Sequence, residues 1–418
     1  MFLTQLQELL AYPIRIWDKA PPVQWESLCT QMLSYRPPPR SMVLAIDRKW
    51  ELVSALQKSI RRADKPMALR LVSAIDNMPE EYGYFWRRLC VITCEDIGPA
   101  DDELVTFVLA CSSIFTPKRT GSKTYDILCF LVELMCDLPN RSRIYCSMSM
   151  IESLVVEGNV PELSAEDTQM VSAIMRRKVM MLSPADAWQK WQSKNDWRAE
   201  KMLRFVGLTL PSETFKVQLP IPTYKMLFDL PSYCYDMHTR IGQEVLSQLI
   251  RGAFGATAIK SFIYRSRVKG ALKGLGEALF FVEGARLEGE MLYPSLSRLE
   301  QLLIAHQLGL SLNEFLALQC LVLDALNAGI IDQIREEVLH KTYPRAEGTQ
   351  PQGSTRQDRH GPHSAANEPL FSTSHLDPRP SATARTKKAE PAKSIAKRNS
   401  GSGDNRETQQ DLFENVGD

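Results

Sequence analysis

From Trp50 onward apolar residues recur at helical spacing: Leu52, Leu56 and Ile60 step by four, while Lys58, Arg61 and Arg62 fall on other faces. That pattern predicts an amphipathic helix. Asp64-Lys65-Pro66 restarts a second one, because proline is favoured in a first turn, and residues 67–75 continue it. Pro79 opens a third through Tyr84, Trp86 and Leu89 to about Ile97, where Gly98-Pro99 stops it. The same spacing predicts helices over 102–115, 123–137 and 143–156. Strand-like alternation is scarce, so the expected fold class is all-α.

Ahead of Trp50 only 2–10 looks amphipathic, and Pro13, Pro21-Pro22 and the prolines at 37–39 prevent long helices. Helical spacing returns over about 164–340, interrupted by a proline-rich stretch at 219–233. Past Tyr343 the chain turns polar, rich in Gly, Pro, Ser and Gln. Such a segment buries too little apolar surface to offset the entropy of ordering. The expected organisation is an N-terminal segment (1–47), a first helical domain (48–158), a second helical region (159–343) and a disordered tail (344–418).

Composition narrows the picture. The 418 residues are 44 % hydrophobic, ordinary for a globular chain of two or three domains. A net charge of +1 means that any basic surface is local. The first residues lack the basic region and cleavage site of a signal peptide, and no apolar run reaches the ~18 residues needed to cross a membrane. Nine scattered cysteines, mostly in apolar helical contexts, indicate reduced thiols and a cytoplasmic location. Cys90 and Cys94 stand one helical turn apart, yet no His or second Cys pair stands near them at metal spacing. Core packing is their expected role, and neither metal nor cofactor is expected.

The most nucleic-acid-like stretch is 258–274. Read as one helix, it puts Lys260, Tyr264 and Arg267 on one stripe and Arg265, Lys269 and Lys273 on the next, with no acid between them. Clustered cations neutralise phosphates, and an exposed tyrosine stacks on an unpaired base. The alternative is a solvated basic face with Phe262 and Tyr264 in the core. Arg176-Arg177-Lys178 and Lys118-Arg119 with Lys123 are weaker patches. In 231–242, Arg240 suits a phosphate and Tyr233 or Tyr235 a base; alternatively, Asp236 or Thr239 caps a helix with His238 on the surface. An enzyme would need Asp236, His238 and Glu95 in one cleft, with Asp236 orienting the imidazole. No nucleophile can be assigned beside them, so no catalytic residue is expected.

Glu95 and Asp96 stand near a helix C-terminus, where anions are unfavourable unless paired. Arg87 and Arg88, or Arg61 and Arg62, are their candidate partners in a buried ion-pair latch, and Asp101 is a candidate cap for the next helix. Neighbouring side chains on an α-helix point about 100° apart, which argues against a catalytic carboxylate pair.

Ser54-Ala55-Leu56, Lys58-Ser59, Ala68-Leu69, Arg87-Arg88-Leu89, Glu95-Asp96-Ile97-Gly98 and Ala100-Asp101 form an ordered set. It resembles the C-terminal helical domain of the RarA/MgsA replication-recombination ATPases, which include the Werner-helicase-interacting protein. Pro139, Asn140 and Ser142 fall on that family's following turn, and EGEMLYPSL at 288–296 is similar to its Gly-Glu-x-Tyr-x-Pro end. The resemblance implies a homo-oligomerising helical platform that works at single-stranded gaps and stalled forks. The family's ATPase module has no counterpart, since fewer than fifty residues precede Trp50. TGSKT at 120–124 and LKGLGEA at 272–278 both lack the Gly-Lys-Thr ending of a phosphate loop. A missing motor half suggests a viral or mobile-element accessory protein.

QQDLF at 409–413 resembles the bacterial sliding-clamp-binding pentapeptide, Gln-Leu-Ser/Asp-Leu-Phe, with Gln410 in place of the usual Leu. Leu412 and Phe413 would fill an apolar pocket and Gln409 would anchor its rim. A helix turn packed on the protein's own surface, or an acidic mimic of DNA, are the alternatives. The expected function is a non-catalytic DNA replication or repair accessory factor that binds single-stranded DNA and recruits a sliding clamp or polymerase assembly. Two rivals stand beside it: a single-stranded-DNA-binding factor that recruits an RNA polymerase for transcription, and a regulator that oligomerises with a host RarA-type ATPase.

Overall fold

The computed structural model describes residues 23–40, 48–115, 124–158, 160–180, 215–216 and 221–344, together with positions 4 and 7. The segment 2–10, apart from those two positions, and the tail beyond Pro344 lie outside the described residues. The fold is all-α. Helix α1 (Val23–Ser34) precedes α2 (Lys49–Arg61), α3 (Lys65–Asp76), α4 (Tyr82–Ile92), α5 (Asp102–Ile114), α6 (Thr124–Asp137), α7 (Ile144–Val156) and α8 (Ala165–Met180). Then come α9 (Arg240–Arg251), α10 (Thr257–Arg265), α11 (Ala271–Leu279), α12 (Pro294–Gln307), α13 (Leu312–Asn327) and α14 (Ile330–Thr342). The strands are two residues each. β1 (Phe215–Lys216) pairs antiparallel with β4 (Met291–Leu292), and β2 (Met226–Leu227) forms a hairpin with β3 (Leu230–Pro231).

Local chemistry explains the helix starts. Asp64 accepts from the Met67 N–H at 3.2 Å, with Pro66 in the first turn of α3. Asp101 accepts from the Leu104 N–H at 2.8 Å and caps α5, as its sequence position predicts. The expected helices at 102–115, 123–137 and 143–156 agree with α5, α6 and α7 to within a residue or so at each end. The helix expected to run to Ile97 changes character instead: α4 gives way to a wider π-type turn, Thr93–Ile97.

One hydrophobic cluster draws on both helical regions. In it α3 packs on α2 and α6, α7 on α12, and α11 on α9 and α13. Cys29, Cys90, Cys94, Cys111, Cys129, Cys136 and Cys234 are buried as thiols, consistent with packing roles. No single helix among the described residues is long and apolar enough to cross a membrane.

Buried polar groups are satisfied both between and within the two regions. Buried Lys58 pairs with Asp236 at 2.6 Å and donates to Ser54 Oγ, which in turn donates to the Cys234 carbonyl at 2.8 Å. Buried Arg61 pairs with Asp96 at 2.5 Å and donates to the Gly284 carbonyl. Arg335 forks onto Glu283 at 2.6 and 3.1 Å and reaches Asp332 at 3.0 Å. Arg141, buried between α6 and α7, donates to the carbonyls of Ile60, Met135, Cys136, Leu138 and Glu288, using its guanidinium as a backbone clamp.

Breaking a buried pair leaves one charge stranded, at about 3–5 kcal/mol. Lys58→Met is therefore expected to lower stability by about that much at neutral pH, read from urea unfolding. The pH dependence has a sign. Burial pushes the Asp236 carboxyl up, but the Lys58 ammonium, followed by His238, outweighs that and holds it well below the usual carboxylate range. A carboxyl depressed in the folded state contributes fully above its unfolded value of about 3.9 and loses that contribution as pH falls further. The gap between wild type and Lys58→Met is thus widest at neutral pH and narrows below about pH 4. A gap that stays constant on acidification would contradict this assignment.

Candidate nucleic-acid interface

The exposed cations are placed by how α9, α10 and α11 are stopped and started. Thr239 caps α9 by accepting from the Gly242 N–H at 3.1 Å, which leaves Arg240 exposed in the first turn. Helix α10 buries Ile259, Phe262 and Ile263. That apolar face turns Lys260, Tyr264 and Arg265 outward, and Tyr264 is 66 % exposed. The alternative with both rings in the core fails for Tyr264 and holds for Phe262.

The unbroken helix expected over 258–274 is not what forms. α10 ends at Arg265, where the Val268 N–H bonds the Ile263 carbonyl at 3.2 Å and the Arg267 N–H bonds the Tyr264 carbonyl at 3.3 Å. This is a Schellman ending, with Arg267 at the left-handed position (φ +49°) that glycine usually fills. Val268 drives the break by turning inward, and Gly270, at φ +59°, starts α11. The two expected stripes therefore become three supports. Lys260, Tyr264 and Arg265 stand on α10, Arg267 and Lys269 on the connector, and Lys273 on α11.

Lys269 is steadied by its backbone N–H on the Leu308 carbonyl at 2.8 Å, and Lys273 Nζ donates to Gln307 Oε1 at 3.0 Å. The chain carries no carboxylate between Glu244 and Glu277. Among the described residues, none of Arg240, Lys260, Arg265, Arg267 or Lys269 pairs with an acid within 4 Å. LKGLGEA forms part of α11, and its glycines serve close packing. A Cβ on Gly274 would meet Val268 Cγ1 at 2.9 Å, and one on Gly276 would meet Met237 Cβ at 2.9 Å.

The 231–242 stretch divides differently from its expectation. Tyr233 and Tyr235 are fully buried, so neither is a base-stacking ring. Tyr233 shares a hydrogen bond with Ser59 at 2.8 Å, and Tyr235 donates to the Leu227 carbonyl at 3.0 Å. Asp236 does lie 3.2 Å from His238 Nδ1, with the imidazole on the surface. The same carboxylate is committed to Lys58, while Glu95 accepts from Gln57 at 2.8 Å.

The latch has one ion-pair partner for Asp96, Arg61. Arg88 donates instead to Gln57 Oε1 at 3.2 Å, and Arg87 is exposed. Gln57 Nε2 touches both Glu95 Oε2 (2.8 Å) and Asp96 Oδ2 (3.0 Å). Adjacent carboxylates thus converge on one nitrogen, against expectation, because the π-type turn winds more widely than an α-helix and swings neighbouring side chains closer in direction. Burial raises the Asp96 carboxyl above its ordinary value, against the opposing pull of Arg61. Gly98 closes that turn at φ +48°.

Gln409, Leu412 and Phe413 lie outside the described residues, as do Lys118, Arg119 and Lys123. Sequence reasoning passed over Phe254, whose signal was the glycine on either side of Ala253-Phe254. No family model, no curated protein and no solved structure matches the chain.

The left-handed backbone at Arg267 is testable. A non-glycine residue there costs about 1–2 kcal/mol, of which roughly half is offset by the freer unfolded chain that glycine brings. Arg267→Gly is expected to raise stability by about 0.5–1 kcal/mol in thermal or urea unfolding. A loss of stability would mean that the arginine side chain itself holds the turn.

Proposed function

We propose that the protein is a non-catalytic accessory factor of DNA replication or repair that holds single-stranded DNA on the exposed cations around Tyr264. The observation that carries this reading is the exposed ring of Tyr264 set among cations that have no acid partner among the described residues. Phosphates take the place of those missing partners, and the ring takes an unpaired base. The reading calls for no cofactor, and with it goes the cytoplasmic location expected from the reduced cysteines.

The resemblance to the RarA/MgsA helical domain points the same way. Its separate pieces meet in space: the Glu288 N–H bonds the Arg61 carbonyl at 2.8 Å, and Arg141 reaches the Glu288 carbonyl at 3.3 Å. The stretch 288–296 thus docks on the run that carries the main motif. The likeness supports a homo-oligomeric helical platform. Gln409, Leu412 and Phe413 are its proposed tether to a sliding clamp or polymerase.

Salt titration of a fluorescent oligothymidylate tests the DNA reading. Affinity is expected to fall steeply with salt, with Lys260→Ala and Arg265→Ala each flattening the log–log slope by about 0.7. Tyr264→Ala is expected to weaken binding by about 1–3 kcal/mol at unchanged slope. A flat salt response would remove phosphate from the site. Deleting 405–418 is expected to leave DNA affinity intact while abolishing co-elution with a bacterial sliding clamp; retained co-elution would dismiss the tether.

A further inference from the structure

The turn between α9 and α10 reads Gly252-Ala253-Phe254-Gly255. Three of its residues hold positive φ: Gly252 at +79°, Phe254 at +50° and Gly255 at +86°. Glycine takes that region freely, whereas the Cβ of phenylalanine crowds the following carbonyl. A residue held so against preference is a pointer to function when packing does not account for it. Packing does not account for Phe254, which is 48 % exposed. Phe228 makes the contrast: it also has positive φ (+49°), but its ring packs on His340 at 4.9 Å. Among the described residues Phe254 has no such ring partner.

The turn itself is firmly held. The Gly252 N–H bonds the Leu249 carbonyl at 3.0 Å, the Ala256 N–H bonds the Ala253 carbonyl at 3.0 Å, and the turn packs on α14. Lys260 links it to the cationic face. A Cβ on Gly252 would meet Lys260 Cδ at 3.0 Å, so the lysine stem runs across this turn. Tyr264 follows Lys260 at i+4 and therefore shares its side of α10. Along the chain the order is thus Phe254 in the turn, then Lys260 and Tyr264 on α10.

We propose that Phe254 and Tyr264 form a two-ring clamp on a single strand, each ring stacking one unpaired base while Lys260 between them holds the intervening phosphate. This rests on the reading of the face as a single-strand site and adds a ring to it. It also makes the site selective: both rings need bases turned out of a helix, so a closed duplex satisfies neither.

The test uses the full chain, fluorescence anisotropy with dT12 and with a blunt duplex, and thermal unfolding of each variant. Phe254→Ala is expected to weaken dT12 binding roughly 5- to 150-fold, the equivalent of ~1–3 kcal/mol of stacking, at unchanged salt slope. Phe254→Gly is expected to lose the same affinity while its melting midpoint holds or rises, because glycine suits the backbone. A lowered midpoint in Phe254→Gly would make the ring structural and overturn the clamp. Wild-type affinity in Phe254→Ala, or duplex bound as tightly as dT12, would overturn the clamp while leaving a phosphate-binding face intact. A Phe254→Ala effect on self-association alone, seen by sedimentation, would assign the ring to a protein contact and overturn it too. Failure of the wild type to bind either DNA would end the single-strand reading first, and the clamp with it.

Discussion

Buried Lys58, Arg61 and Arg335 are each held by an acid partner, and buried Arg141 by a ring of backbone carbonyls. Helix α2 sends Lys58 and Arg61 into the interior, and each finds its acceptors on a different part of the chain: Asp236 ahead of α9, Asp96 in the turn after α4, and the Gly284 carbonyl after α11. An apolar interface slides at little cost, because dispersion has no direction. A guanidinium fork does not, since its donors point along fixed lines. The hydrophobic cluster thus supplies the bulk of the adhesion, and the embedded cations fix the one register in which the helices meet.

Much of the helical layout was legible along the chain, because it rests on short-range rules. Proline and aspartate start α3, Asp101 starts α5, and the four-residue steps of Leu52, Leu56 and Ile60 set the inner face of α2. The identity of the latch partner was not. Arg61, Arg62, Arg87 and Arg88 were equivalent on paper, and only the packing of α2 beside the Thr93–Ile97 turn favours the first, while Arg62 donates to the Pro222 and Glu283 carbonyls. The tyrosines at 233 and 235 misled for a related reason: both are enclosed, Tyr233 by a contact with distant Ser59 and Tyr235 by the Leu227 carbonyl of the nearby hairpin.

The basic face was legible as composition and illegible as shape. Its charges follow from a run without acids, which any count along the chain reveals. Its geometry follows from Val268 turning inward, and an isolated valine among lysines and arginines reads equally well as part of a continuing helix. Phe254 illustrates the opposite failing. Nothing in its local sequence tells exposure from burial; that depends on how the turn packs on α14, some eighty residues downstream, where Phe254 remains exposed.

Helix α10 is short, and both its boundaries are rigid knots of left-handed backbone. Nothing in it can lengthen, rotate or slip by a residue without undoing one knot or the other. Its outward groups therefore keep fixed intervals, and a strand on the proposed site would have to match them. Spacing set in this way depends on the backbone at the two ends of the helix and not on the side chains of the surface around it.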